Sequence, residues 1–162
     1  MVNKKVTSGL SFFLSLAALI ILPMTTSSSE WLERYDEHSG LWIHCHNLPN
    51  GGGEKCITND ATWLKCCQAF AVLSIIFLFA GLILILLDLC LEKVQTKHSA
   101  ITLFLSSLFQ LIVMIIYEEM TVEMTSHGTS YFIGWLVFAL QFAAAIIQTL
   151  GVKFNRNYQD LS

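Results

Sequence analysis

Cys45 and Cys56 share one short polar stretch with three histidines, His38, His44 and His46, in the segment HSGLWIHCHNLPNGGGEKC. These residue types support two chemistries. Two thiols in an oxidising space form a persistent disulfide, whereas thiolate and imidazole together can hold a zinc-type ion. Trp42 to Cys45 alternates as a strand does, Asn50 to Glu54 supplies residues that accept the positive dihedrals of a tight turn, and Lys55 to Thr58 can return antiparallel. Cross-linking the two arms closes a loop of about a dozen residues, worth about 3 kcal/mol in the chain-entropy account. On such a strand His44 and His46 project to one face and Cys45 to the other, a poor arrangement for three ligands on one ion. The favoured reading is a Cys45–Cys56 disulfide beside solvated histidines, with no metal ligands assigned.

Other reactive groupings are sparse. Glu118, Glu119 and Glu123 form a carboxylate cluster, but a short acidic loop in water explains them more simply than general acid–base work. No acid, base and nucleophile occur at a recognisable spacing, so the expectation is a protein that is not an enzyme and has no cofactor or small-molecule substrate. The net charge of -3 is too small to suggest a nucleic-acid partner.

The elements that must carry the cysteine hairpin follow from hydropathy. Of 162 residues 54% are hydrophobic and only 13% charged, giving a mean hydropathy of +0.60, which does not describe a water-soluble domain. Four runs can cross about 30 Å of hydrocarbon without stranding a charge: Val6–Thr26, Cys66–Leu87, Ser99–Tyr117 and Tyr131–Val152. Each must be helical, because lipid offers no partner for a bare backbone N–H or C=O. This predicts one mainly α membrane domain over 1–162, with helices at about 6–26, 66–87, 99–117 and 131–152. An outer loop spans 27–65, an inner loop 88–98, a second outer loop 118–130 and a tail 153–162. Lys4, Lys5, the first apolar run and PMTTSSS also fit the three regions of a cleavable signal peptide; either way Glu30 onward emerges outside.

Basic residues set the orientation. With both termini cytoplasmic, Lys4, Lys5, Lys93, Lys97, Lys153 and Arg156 lie inside and only Arg34, Lys55 and Lys65 outside. The outer pieces then carry Glu30, Glu33, Asp36, Glu37, Glu54, Asp60, Glu118, Glu119 and Glu123, an acidic face. Tyr117, Tyr131 and Trp63 stand where an interfacial aromatic belt is expected.

Trp31 soon after the first span, then Gly40-Leu41-Trp42, Cys45 and Cys56, resembles the W-GLW-C-C signature of the claudin superfamily. WLKCCQAFAVLSIIF at the second span and SYFIGWLVF at the fourth resemble its peripheral myelin protein and epithelial membrane protein branch. The resemblance implies a left-handed four-helix bundle topped by a small extracellular antiparallel β-sheet, with Trp42 near the bilayer surface and the disulfide bracing two strands. It also implies a multi-pass plasma-membrane protein acting in cell–cell contact or membrane organisation. Its partners would be membrane lipids and other membrane proteins, including further copies of itself. An auxiliary or trafficking subunit of a channel or receptor is the alternative, and a paracellular barrier or pore component a further one. Only ITNDATW separates Cys56 from Leu64, and the tail YQDLS lacks the hydrophobic terminus that scaffold domains read; both features speak against the paracellular reading. No Asn-X-Ser/Thr occurs, so the glycan common in the myelin branch is not expected.

Within the spans, Gln110, Gln141 and Gln148 are expected to hydrogen-bond between helices. The small-residue pairs Ser11 with Ser15 and Ala139 with Ala143 let backbones approach, either inside the bundle or toward another protein. Asp88 and Glu92, with Lys93, read as the inner boundary of the second span. Cys90 beside them is an S-palmitoylation candidate, Cys66 and Cys67 enter from the outer side, and at least one cysteine stays unpaired. Tyr158 and Leu161 match a tyrosine-based sorting signal, which points to an endocytic or endolysosomal address, whereas the family resemblance implies cell junctions.

Overall fold

The computed structural model describes residues 4–34, 37–48, 53–91, 96–121 and 126–159. Four helices, α1 (Lys4–Ser27), α2 (Thr62–Leu91), α3 (Thr96–Thr121) and α4 (Thr129–Gln159), are joined by a four-stranded sheet between α1 and α2. All four are long and apolar enough to cross a membrane, so the chain is a multi-pass membrane protein with a claudin-like architecture. Each helix packs chiefly on its two neighbours in the ring α1–α2–α3–α4. The helices outrun the expected spans at every end. α2 has 30 residues, about 45 Å at 1.5 Å per residue, against about 30 Å of hydrocarbon.

The sheet is an antiparallel meander in the order β1 (Leu32–Arg34), β2 (Glu37–Ser39), β3 (Ile43–Asn47), β4 (Glu54–Thr58). Cys45 pairs directly with Cys56 across β3 and β4. Gly53, the described part of the glycine-rich turn, has a φ of 89° and its carbonyl accepts from Leu48 N–H at 3.0 Å. β1 and β2 are only three residues long and carry charged residues, so they have little local strand signal. Their pairing comes from the cap closing over the helix ends.

Two apolar clusters fill the bundle. The first, at the sheet end, gathers Trp31, Leu41, Leu64, Met114, Tyr117 and Tyr131; the second runs from Ala18 and Leu22 to Ile85, Leu103 and Ala144. Polar groups tie the helices between and below them. Ser74 and Ser106 each donate a hydroxyl to the other's backbone carbonyl, at 3.0 and 2.8 Å, locking α2 to α3. Gln141 reaches Ser74 at 3.4 Å and Gln148 reaches Ser99 at 3.0 Å, joining α4 to both. Ser11 donates to the Ala144 carbonyl at 2.9 Å and seats α1 on α4.

Several expectations need correction. Tyr117 and Tyr131 are not belt residues: both are buried and turn inward onto Trp31 and each other, while Trp63 is half-buried. Asp88, near the end of α2, is 3% exposed between α1 and α2, with the Ser8 hydroxyl 3.5 Å from its Oδ2. Gln110 makes no interhelical bond; its amide nitrogen and oxygen are both buried without a partner. Ser11 and Ser15 pack inside the bundle, but Ala139 is exposed on its outer face. Glu92, Lys93 and Glu123 lie outside the described residues.

Candidate functional site: the sheet cap and its aromatic seat

The cap is positioned by the residues that leave α1. In the last turn Thr25, Thr26 and Ser27 fold their hydroxyls back onto carbonyls from Ile21 to Met24, so their polar groups are met within the helix. The Thr25 carbonyl instead accepts the indole Nε1–H of Trp31 at 2.7 Å. Trp31 is fully buried, and its ring lies 4.9 Å from Tyr117, which in turn contacts Trp63 at 5.8 Å and Tyr131 at 6.3 Å. One tryptophan thereby joins the helix exit to α2, α3 and α4. Such aromatic pairs contribute about 0.5–1.5 kcal/mol beyond their buried area.

The Gly-Leu-Trp triplet divides three tasks. A Cβ on Gly40 would lie 2.8 Å from the Ser29 Cα and closer still to the Ser28 carbonyl oxygen, so only glycine lets the β2–β3 turn press on the segment after α1. Leu41 is fully buried and its carbonyl accepts from Gln68 Nε2 at 2.7 Å, anchoring the turn to α2. Trp42 is 38% exposed and offers its carbonyl to Asn59 N–H at 2.9 Å.

The segment before α4 covers the β1 edge. Glu33 N–H donates to the Ser126 carbonyl at 3.2 Å, Ser126 Oγ donates to the Glu33 carbonyl, and Gly128 N–H donates to the Trp31 carbonyl at 2.9 Å. Leu32 and His127 form a β-bridge. Gly128 is obligatory for the same reason as Gly40: an added Cβ would sit 2.8 Å from the Glu30 carbonyl carbon. Further bonds run from Thr129 Oγ1 to Glu30 Oε2 at 2.9 Å and between Ser130 and Ser28 at 2.8 Å. Tyr131 donates its hydroxyl to the Glu118 carboxylate, which His127 also approaches at 3.3 Å. This second contact between loops has no signal in the sequence beyond the glycine.

β4 is the opposite case. All five of its residues are exposed, including Ile57 at 49%, and its outer edge pairs with nothing among the described residues. A cavity of about 320 Å³ opens between the sheet and the ends of α2 and α3, with Trp63, Leu64 and Tyr117 as apolar lining and Glu33, Glu37 and His44 as polar lining.

Cys45 and Cys56 are joined in a disulfide, with Cys45 buried and Cys56 exposed. His44 and His46 lie on the same side of β3, their rings 6.4 Å apart. The residue that sequence reasoning missed is Glu54, whose Oε1 is 2.7 Å from His38 Nε2. Cys66 and Cys90 are exposed free thiols and Cys67 is buried. The sorting pattern falls largely outside the described residues, which exclude Leu161 and the Tyr158 side chain.

Comparisons with known proteins agree with this geometry. Epithelial membrane protein 1 of Homo sapiens is 28% identical over 144 residues, covering 84% of this chain and 90% of that protein. Lens fiber membrane intrinsic protein of Rattus norvegicus is 26% identical over 165 residues, covering 91% and 92%. A family model matches residues 5–148, nearly the whole described chain. The chain belongs to the PMP-22/EMP/MP20/Claudin family.

Proposed function

We propose that this protein is a non-enzymatic organiser of cell–cell contacts in the plasma membrane. Its termini lie in the cytoplasm, its sheet cap outside, and its helices contact lipid and neighbouring membrane proteins laterally. The distribution of lysines and arginines supports that orientation. Relatives named for epithelial and lens fibre membranes support the setting.

The observation that carries the reading is the inequality of the two sheet edges. The β1 edge is closed by the segment before α4, whereas among the described residues β4 presents an open edge with Ile57 exposed. Water-soluble proteins blunt such edges because they recruit further strands. A cap that keeps one open is suited to strand addition by a partner, another copy included. Cys90, exposed at the far end of α2, is the position at which this reading places an S-acyl anchor, testable by acyl exchange on Cys90→Ser.

A fluorescently tagged full-length chain expressed in cells that lack it tests the reading. Enrichment at borders between two expressing cells, reduced by Ile57→Lys without loss of surface level, is the expected result. Uniform surface distribution with recovery of one stoichiometric channel or receptor would replace it with the auxiliary-subunit role. Transepithelial conductance is expected not to change.

A further inference from the structure

The sheet register brings four metal-ligating groups to one face. His38 lies opposite Cys45, and Cys45 opposite Cys56, so the three side chains form a row across β2, β3 and β4. Glu54, two residues before Cys56, shares that face. His38 Nε2 is 2.7 Å from Glu54 Oε1, and Cys56 Sγ is 3.8 Å from the same oxygen. Ligand atoms of His38, Cys45 and Glu54 all lie within 4.8 Å of one another. A tetrahedral zinc-type ion, with bonds of about 2.0 Å to nitrogen or oxygen and 2.3 Å to sulfur, holds its ligand atoms about 3.3–3.8 Å apart. The strands therefore hold these groups close to the spacing that such an ion requires. In the disulfide the two sulfurs are bonded to each other and offer no thiolate.

We propose that the reduced chain binds one zinc-class divalent cation through His38, Cys45, Glu54 and Cys56, and that oxidation to the disulfide expels it. On binding, each thiol loses its proton to solvent and gives an electron pair to the metal. On oxidation by a disulfide-bearing oxidant, the Cys45–Cys56 bond forms and the oxidant's S–S bond breaks. The oxidant takes two electrons from the two thiolates and two protons from solvent to become a dithiol, and the cation leaves as a free ion. Two thiolates, one imidazole and one carboxylate make a donor set that suits zinc. The ion would fix the same β3–β4 register as the disulfide and, through His38, tie in β2 as well. A newly made chain would thus have an ordered cap before its cysteines are oxidised.

The test uses the full-length untagged chain in micelles, with Cys66→Ser and Cys90→Ser to remove the two exposed free thiols. The protein is reduced with a phosphine and titrated anaerobically with cobalt(II), then zinc(II). One equivalent of cobalt is expected to give thiolate-to-metal charge transfer and tetrahedral ligand-field bands. Zinc displaces both, and neither occurs before reduction. His38→Ala and Glu54→Gln should each weaken cobalt binding at least about tenfold. Absence of the charge-transfer band in the reduced parent, or unchanged affinity in both variants, overturns the proposal. If reduction unfolds the cap, zinc should restore the thermal transition of the reduced chain and leave that of the oxidised chain unmoved; failure to restore it also overturns the proposal.

Discussion

The indole of Trp31 donates a 2.7 Å hydrogen bond to the Thr25 carbonyl at the end of α1 while its ring packs 4.9 Å from Tyr117 on α3. The same side chain therefore gives the Thr25 carbonyl its shorter hydrogen bond, beside the 3.3 Å bond from Ser28 N–H, and holds the cap to the bundle. Trp31→Phe keeps most of the ring contact but leaves the carbonyl only the longer 3.3 Å bond from Ser28 N–H, and is expected to cost about 0.5–1.5 kcal/mol. Trp31→Ala removes both and is expected to cost about 3–5 kcal/mol. Equilibrium unfolding in micelles should rank wild type, Trp31→Phe and Trp31→Ala in that order; equal stability of the first two would show that the bond is replaced by water.

The glycines separate into those that touch backbone and those that do not. Gly40→Ala and Gly128→Ala each push a methyl group into a fixed main-chain segment, and each is expected to destabilise by at least about 1–3 kcal/mol. A Cβ on Gly9, inside α1, meets nothing within 4 Å, so Gly9→Ala should be neutral or stabilise by up to about 1 kcal/mol through helix propensity. Thermal midpoints of the three variants decide this, and a loss at Gly9 equal to that at Gly40 would remove the packing explanation.

Breaking the disulfide should cost about 2–4 kcal/mol, since the bond closes a short loop in the unfolded chain. Cys45→Ala with Cys56→Ala, unfolded beside the oxidised parent in a chelator, measures the loss. Circular dichroism should show the helices unchanged while tryptophan emission reports a loosened cap, because the bond joins β3 and β4 and no helix. Loss of helix at the same midpoint would mean that the cap and the bundle unfold as one unit.

How much of this was legible from sequence depended on the range of the interaction. The four spans stand out because hydrocarbon excludes charge, and the β3–β4 hairpin because Cys45, the glycines and Cys56 lie close together in the chain. Glu54 beside His38 was not legible, since their contact needs the register of three strands to be known. Nor was the inward turn of Tyr117 and Tyr131: both stand at helix ends, where a lipid-facing ring and a core ring share the same sequence position. Asp88 was read as boundary because an acid ends the apolar run, but its place between α1 and α2 depends on how those helices rotate against each other. β1 and β2 were hidden by their brevity and charge: they pair with each other, and the segment at 126–128 closes the other edge of β1.

Gln110 and Gln141 have the same side chain in one bundle but opposite circumstances. Gln141 donates to Ser74, whereas both polar atoms of Gln110 are buried without a partner. An unmet amide in a low-dielectric interior destabilises by about 1–3 kcal/mol, while a made bond between membrane helices contributes only about 0.6 kcal/mol on average. Gln110→Met, which keeps a similar volume, should therefore raise stability by about 1 kcal/mol or more. Gln141→Met should raise it by less, because the gain from removing the amide's own unpaired oxygen is offset by loss of the bond to Ser74. The two variants, unfolded side by side in micelles, are expected to differ, with the larger gain in Gln110→Met. A loss of stability in Gln110→Met would mean that a buried water already satisfies the amide, and hydrogen exchange at Ser106 and Met114, one turn to either side, would then be faster than in the parent.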